Sequence, residues 1–327
     1  ISASNSRVFR NSFYTKLEKL FVVPADTFDN VKGNFPIGFF IWNTSEKERF
    51  TNINADVFGR DGNQSGNKFF YSYDNVKGKI NDWLASFKSK EKDSQIGFLM
   101  ADAPDFQHNN LVRISSTKPR GHGIFFALNQ YNLPIACIYL AVRHAIDATW
   151  LNDRDQFLYP SDGWKNDTEF QNNCLAFTLF SNNIQSQFGI NHWIPFSEDE
   201  VKAGEKFASH FMTKFINGKL KYEAPVQMDG LSTTEHRTTP LEFSAEATAV
   251  FDAGRELYKY YHSQANCNVN ASLYDIREHF QGRNEAGKMN NKSDDEVYSF
   301  LIKDIRDKLK LLQKAIEPKI YEYGFLK

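Results

Sequence analysis

Length, composition and charge place this chain of 327 residues among ordinary globular proteins, with 41% hydrophobic and 24% charged residues. The longest apolar run, residues 135–142, is too short to cross a bilayer. We therefore expect no membrane span. The three cysteines, Cys137, Cys174 and Cys267, lack metal-ligand spacing, so we also expect a reduced cytoplasmic protein with no metal site. The net charge of −1 decides neither for nor against a nucleic-acid partner, although residues 1–130 carry more Lys and Arg than Asp and Glu.

The first 130 residues have the pattern of an α/β region. Apolar residues at helical spacing predict an amphipathic helix over residues 6–20, with one face formed by Phe9, Phe13, Leu17 and Leu20. A second helix is predicted around residues 79–88. Apolar runs bounded by turn residues predict strands at residues 20–24, 35–42, about 50–58, 68–73, 96–101, 111–116 and 123–128. The third and fourth of these strands are expected to form a hairpin, because the segment between them is rich in glycine.

The rest of the chain is mainly helical in pattern. Ser197 and Glu200 form a capping box that predicts a helix ending at about Ile216. Ser244 is expected to cap a helix that ends at about Tyr261. Just before this region, the run of residues 153–155, Asp-Arg-Asp, is typical of a surface salt-bridge cluster.

The clearest helix is predicted near the end of the sequence. Ser293 and Glu296 form a second capping box, and Pro318 is expected to end the helix that follows. A shorter helix is predicted over residues 273–280. We therefore expect an α/β part over residues 1–130 and a mainly α-helical domain over residues 131–327.

The most informative segment spans residues 26–42. A strand is predicted to end at Pro24, a loop containing Gly33 follows, and Phe35-Pro36 stands where the next strand begins. By pattern alone this is a strand–loop–strand connection whose Phe residues belong to the core. A second interpretation comes from a family that has the same arrangement.

The Phe35-Pro36 segment resembles the region of adenine-N6-specific DNA methyltransferases of restriction–modification systems that joins the last two strands of the catalytic sheet. The resemblance implies that Phe35 and Pro36 pack against a target adenine that has been flipped out of the duplex, since an aromatic face can replace the lost stacking. Further resemblance to large bacterial proteins of this methylase type lies at residues 2–10, 191–196, 252–257 and 321–325. It implies that residues 1–130 complete the edge of a methyltransferase-like sheet and add a hairpin to it. Residues 131–327 would then recognise DNA or support its recognition.

Two motifs of that family are missing from the sequence. One is the glycine-containing loop that holds S-adenosylmethionine, and the other is the Asn/Asp-Pro-Pro-aromatic loop that binds the adenine amino group. The resemblance therefore implies the C-terminal portion of a methyltransferase that uses S-adenosylmethionine. We expect this chain to start inside a longer polypeptide at Ile1, to contain no catalytic or cofactor-binding residue, and to be inactive alone.

Two basic loops are candidate contacts for the phosphates of double-stranded DNA. The first contains Arg113, Lys118 and Arg120, and the second contains Arg283 and Lys288. A solvated basic loop explains either segment equally well. Two other functions stay open: a DNA-specificity module without a catalytic role, and a protein–protein scaffold that docks a restriction subunit or domain.

Overall fold

The computed structural model describes residues 12–73, 76–88, 95–119, 124–181, 184–185, 190–220 and 239–327. Within these residues the chain has mixed α/β content, with two four-stranded sheets and with mostly helices in the C-terminal part. This content agrees with the predicted sequence of an α/β part and a mainly helical part. None of the described helices is both long enough and apolar enough to span a bilayer.

The N-terminal sheet consists of β1 (Lys16–Pro24), β2 (Pro36–Asn43), β3 (Asn52–Phe58) and β4 (Gln64–Tyr71), in the order β2-β1-β3-β4. β1 runs antiparallel to β2 and parallel to β3, while β3 and β4 form the predicted antiparallel hairpin. Successive side chains of a strand point to opposite faces. One face of the sheet therefore carries the buried residues Leu20, Val22, Ala55 and Val57, against which Trp150 and Leu151 pack.

The predicted helix over residues 6–20 is wrong for its described part, because residues 16–20 belong to β1. Residues 6–11 lie outside the described residues. A β-bulge explains the misleading periodicity, since the register between β1 and β2 shifts between Leu17 and Lys19. The extra residue lets Leu17 and Leu20 face the same side of the sheet, where both line one pocket. A bulged strand has thus produced the apolar spacing that is typical of a helix.

The second sheet consists of β5 (Gly97–Ala101), β6 (Arg113–Ser115), β7 (Ile124–Leu128) and the short β8 (Ile184–Gln185), in the order β7-β5-β6-β8. β5 runs antiparallel to β6 and β7, and β6 runs parallel to β8. Three of these strands were predicted, and β8 was not. Side chains of this sheet join the helices in one large buried cluster, which draws residues from both sides of residue 130. The domain boundary near residue 130 stays a prediction.

The described helices are α1 (Ile80–Ala85), α2 (Leu133–His144), α3 (Thr168–Phe180), α4 (Glu198–Val201), α5 (Phe211–Ile216), α6 (Ala245–His262), α7 (Leu273–Gln281) and α8 (Glu296–Glu322). α3 packs against α2, α6 and α8, and α6 packs along α8. The predicted cap of α6 is confirmed, because Ser244 Oγ accepts a hydrogen bond from Ala247 N at 3.1 Å.

The helix that begins after Ser197 is much shorter than predicted. Its capping box is confirmed, since Glu200 Oε2 accepts a 2.8 Å hydrogen bond from Ser197 N. The helix ends at Val201, because Lys202 takes a left-handed conformation with a φ of 55°. Of the residues predicted to continue it to Ile216, only Phe211–Ile216 are helical, and they form the separate helix α5.

The last helix differs from the prediction at both ends. Asp295 caps it in place of Ser293, and the Asp295 carboxylate accepts a 2.8 Å hydrogen bond from Tyr298 N. Pro318 lies inside the helix, which continues to Glu322. Fully buried Ile320 and an ion pair between Lys319 and Asp167 at 3.2 Å hold the last turn in place, so tertiary contacts outweigh the effect of the proline.

Candidate functional site

The predicted base-stacking residues, Phe35 and Pro36, lie where the loop between β1 and β2 ends. Ala25 N donates a 2.9 Å hydrogen bond to Phe35 O and closes this loop at its base. Arg60 Nε donates a 2.9 Å hydrogen bond to Asp26 Oδ1 and ties the loop to the turn between β3 and β4. The loop is therefore anchored at its base and along its side.

Gly33 lies directly beneath the Phe35 ring. A Cβ atom at position 33 would come within 2.7 Å of Phe35 Cδ1, much closer than the 3.5–4.0 Å, roughly, at which carbon atoms attract each other. The ring is partly buried and belongs to neither of the two buried hydrophobic clusters. The ring can therefore occupy this position only because residue 33 is a glycine and has no Cβ atom.

Arg154 places a positive charge beside this ring. Its guanidinium carbon lies 6.0 Å from the centroid of the Phe35 ring, within the range of a cation–π contact. Arg154 Nε pairs with Asp153 Oδ2 at 3.1 Å, and another guanidinium nitrogen donates to the side chain of Gln107. Burial raises the pKa of Asp153, and the charge of Arg154 opposes this shift. Two neighbours therefore hold the cation near Phe35.

Arg154 is a residue that the sequence did not assign to the site. The predicted salt-bridge cluster is confirmed for Arg154 and Asp153, whereas Asp155 pairs with Lys68 of β4 at 2.6 Å. Phe35 and Arg154 lie far apart in the chain, and only the fold brings them together. The sequence carries no local signal of that contact.

An open cavity of about 630 Å³ lies on the face of the N-terminal sheet that carries Leu20 and Val22. Pro36 lines this cavity, and Phe35 does not. We call it the aromatic pocket, because its lining includes the rings of Phe13, Tyr14, Phe40, Trp42, Phe50, Phe69, Phe70, Tyr71 and Tyr73. Residues 154–156 and 326–327 complete its wall. The volume lies in the range that is usual for small-molecule sites.

Two rings of β2, Phe40 and Trp42, line the aromatic pocket with nearly parallel planes. The ring centroids of Phe40 and Trp42 are 6.2 Å apart, and the two ring planes differ by only 16°. Phe13 meets Trp42 edge-on, with 5.0 Å between the centroids and 87° between the planes. Phe40 remains 38% exposed. The pocket is therefore lined by rings in both near-parallel and perpendicular orientations.

Lys68 and Tyr73 hold in place the part of the pocket wall that Asp155 and Gln156 form. Lys68 Nζ donates hydrogen bonds to Asp155 Oδ2 at 2.6 Å and to Leu151 O at 2.8 Å. Tyr73 Oη accepts a 3.4 Å hydrogen bond from Gln156 N, and burial raises the pKa of Tyr73 to about 12. Tyr73 is therefore uncharged at neutral pH, and the Asp155 carboxylate already has a cationic partner.

The first predicted group of DNA contacts lies in and after β6. Arg113 is partly buried, and its Nε has no hydrogen-bond partner among the described residues. Lys118 is exposed, with its Nζ 5.9 Å from the centroid of the Phe125 ring. Arg120 lies outside the described residues.

The second predicted group, Arg283 and Lys288, lies in one tight turn. Asn284 N donates a 2.9 Å hydrogen bond to Lys288 O, and Lys288 is exposed. Arg283 pairs with Glu278 at 2.6 Å, and this hydrogen bond raises the pKa of Arg283. The described members of both groups, Arg113, Lys118, Arg283 and Lys288, do not line the aromatic pocket. Their contact with DNA stays a prediction.

Among the described residues, no group of three or more His, Cys, Asp and Glu side chains could hold a metal ion. No family model, curated protein or solved structure matches the chain.

Proposed function

We propose that this chain is the C-terminal part of an adenine-N6-specific DNA methyltransferase of a restriction–modification system, where it contributes target-base stacking and DNA binding. The observation that supports the proposal most is the position of Phe35. Its ring lies at the entrance to β2, over Gly33 and beside Arg154, outside both buried clusters. A base that leaves the duplex loses its stacking, and such a ring offers a replacement surface.

In this proposal β1 and β2 form the edge of a methyltransferase-like sheet, and β3 and β4 are strands added beyond it. The observed order β2-β1-β3-β4 is compatible with that assignment. In the intact enzyme S-adenosylmethionine supplies the methyl group. No residue of this chain is assigned to the cofactor, because the sequence contains neither of the motifs that the family uses for it.

The proposed DNA contacts are Arg113, Lys118, Arg120, Arg283 and Lys288. Side chains of this kind bind phosphates through charge, so their effect should weaken as the salt concentration rises. Arg283 must break its ion pair with Glu278 to bind a phosphate, which reduces the free energy gained on binding. Lys288 is exposed in the same turn, and no ion pair with a carboxylate has been described for it. We therefore expect Lys288 to contribute more than Arg283.

The test is methyl transfer by the full-length protein with Phe35 replaced. Phe35→Ala and Phe35→Leu should lower methylation of duplex DNA about tenfold or more, since base–aromatic stacking contributes roughly 1–3 kcal/mol. Phe39→Ala is the matched control, because Phe39 lies in the same strand region and is 48% exposed. Equal losses in all three variants, or loss of the fold in both Phe35 variants, would overturn the stacking role. DNA binding without any methylation by the full-length wild type would point instead to a DNA-specificity module.

A protein–protein scaffold is the second candidate, and one surface of α8 favours it. Val297 and Phe300 lie one helical turn apart near the start of that helix, with exposures of 51% and 71%. Adjacent exposed apolar side chains are typical of protein contact sites. Replacing both with Ser should release a restriction subunit or domain if the scaffold is correct. Methylation should not change if the first proposal is correct.

A further inference from the structure

We infer that one exposed side of α8 binds the phosphate groups of double-stranded DNA through a row of cations. The row consists of Arg306, Lys310 and Lys314 of α8, and Arg277 of α7 extends it at one end. We call these four residues the cation stripe. DNA as the partner comes from the proposed function, so the stripe rests on that proposal, but its test depends neither on methylation nor on Phe35.

The three members of the stripe in α8 follow one another at intervals of four residues. Side chains four residues apart are neighbours on the surface of an α-helix and lie about 6 Å apart along its axis. Arg306, Lys310 and Lys314 are all exposed. They therefore form a continuous line of positive charge, about 12 Å long, on the surface of α8.

The acidic residues of this part of α8 are already paired with other lysines. Asp307 pairs with Lys303 at 2.7 Å, and Asp304 pairs with Lys308 at 2.5 Å. Residues 303–314 contain five basic and two acidic side chains, a balance of +3. Once the two pairs are formed, the charge that remains is that of the stripe.

Two carboxylates lie near the stripe without neutralising it. Asp307 precedes Lys310 by one helical turn, and its pKa is lowered mainly by the hydrogen bond from Lys303 and only in smaller part by the charge of Lys310. Glu317 follows Lys314 by one turn, and no ion pair joins these two side chains in the described structure. Asp307 thus has a closer cation, and Glu317 lies beyond the end of the stripe.

Arg277 continues the positive charge from α8 onto α7. Gln281 Oε1 accepts hydrogen bonds from Arg277 Nε and from Tyr298 Oη, both at 3.0 Å, and so links α7 to α8. Burial lowers the pKa of Arg277, and the charge of Arg306 lowers it further, although Tyr298 opposes the shift. Neither arginine has a carboxylate partner among the described residues. A bound anion would relieve the repulsion between them.

The composition and the position of the stripe favour DNA over a protein partner. Lysine is depleted at protein–protein interfaces, whereas lysine and arginine both bind the phosphates of DNA. The stripe also lies close to Arg283, one of the proposed DNA contacts. Arg283 Nη2 donates a 3.2 Å hydrogen bond to Tyr274 Oη, and Tyr274 is in turn a neighbour of Arg277.

The test is the binding of a labelled DNA duplex of mixed sequence to the purified chain across a salt series. In the triple variant Arg306→Gln, Lys310→Gln, Lys314→Gln, the slope of log affinity against log salt should become less steep by roughly 2–3, because each lost phosphate contact contributes about 0.9. Glutamine favours helices about as well as lysine and arginine, so circular dichroism should show an intact fold. An unchanged slope, or no DNA binding by the wild-type chain at low salt, would overturn the assignment.

Three controls separate the stripe from the overall charge. Lys303→Gln combined with Asp307→Asn removes an ion pair from the same helix without changing the net charge, so the slope should not change. Lys206→Gln removes an exposed cation between α4 and α5 and should also leave the slope unchanged. Lys310→Arg combined with Lys314→Arg keeps both charges and should bind as the wild type does. Equal losses for Lys206→Gln and Lys310→Gln would contradict a specific role of the stripe.

Further measurements distinguish a failure of the stripe from a failure of the proposed function. If the full-length wild type does not methylate DNA but the triple variant shows the expected change in slope, the stripe is correct and the methyltransferase proposal is wrong. If the triple variant of the full-length protein binds and methylates DNA as the wild type does, only the stripe is wrong. Tighter binding of poly-glutamate than of DNA would identify a protein-binding surface and overturn the choice of DNA.

Discussion

The guanidinium group of Arg154 lies near the Phe35 ring, with 6.0 Å between the guanidinium carbon and the ring centroid. This contact joins the loop between β1 and β2 to the segment that follows α2. It places a fixed positive charge beside the surface on which we propose that a base stacks. A nucleotide at Phe35 would therefore meet both an aromatic face for its base and a cation for its phosphate.

Replacing Arg154 should weaken DNA binding mainly at low salt. For Arg154→Gln in the full-length protein, we expect the slope of log affinity against log salt to become less steep by about 1. Lys303→Gln is the control, because the Lys303 side chain is 75% exposed and pairs only with its helix neighbour Asp307 in the described structure. Filter binding across a salt series measures both slopes. An unchanged slope for Arg154→Gln would show that the charge does not act on DNA.

Gly33→Ala should move the Phe35 ring without unfolding the protein. The added Cβ would overlap the ring, which must rotate away because Gly33 itself is part of an exposed loop. Methylation by the full-length variant should fall while its melting temperature stays near that of the wild type. Gly204→Ala is a suitable control, since a Cβ there meets no atom within 4 Å. Full methylation by Gly33→Ala would argue against a stacking role for Phe35.

Gly254→Ala should destabilise the helical part although alanine favours helices. Gly254 lies in α6, where a Cβ would approach Phe180 Cζ of α3 to 2.8 Å. Overpacking of this kind costs about 1–3 kcal/mol, and the gain in helix propensity from Gly to Ala offsets only about 1 kcal/mol of it. Urea unfolding of the purified chain measures the difference. Greater stability of the variant would mean that α3 and α6 move apart easily.

His144 should make the protein less stable as the pH falls below neutral. Burial lowers the pKa of His144 to about 4, below the ordinary value of 6.5, although its hydrogen bond with Val112 O at 2.9 Å opposes the shift. The unfolded chain therefore binds more protons between pH 6.5 and 4, so stability present above pH 6.5 is lost as the pH falls through that window. Free energies of unfolding at several pH values in this range should decline less for His144→Gln than for the wild type. Parallel declines would contradict the role of His144.

The strands of the sheets could be predicted from the sequence far better than their arrangement. The apolar runs at β2 and β7 carry their own signal, because side chains of a strand alternate between faces. Residues 20–24 of β1 were predicted as a strand, but residues 16–20 were predicted as the end of a helix, because the bulge between Leu17 and Lys19 is a property of pairing with β2. The parallel contact between β1 and β3 also has no local signal.

The candidate site was predictable only in its local part. Gly33, Phe35 and Pro36 are neighbours in sequence, so a short sequence motif was enough to identify them as candidate site residues. Arg154 and the wall of the aromatic pocket come from distant segments, and long-range packing alone brings them to the N-terminal sheet. The ends of the helices show the same difference between local and long-range signals. The capping box at Ser197 was predictable because its residues are neighbours in sequence. The continuation of α8 through Pro318 was not predictable, because it depends on tertiary contacts.

β2 is the outer strand of the N-terminal sheet, and within the described residues it pairs with β1 alone. Its other edge presents backbone N–H and C=O groups that have no strand partner there, and such edges are where sheets grow. Phe35 immediately precedes this strand, so any segment that joined the sheet at that edge would run alongside the ring. If a base stacks on Phe35 as we propose, a strand added at this edge would also contact that base. The same strand would then extend the sheet and form one wall of the base-binding site.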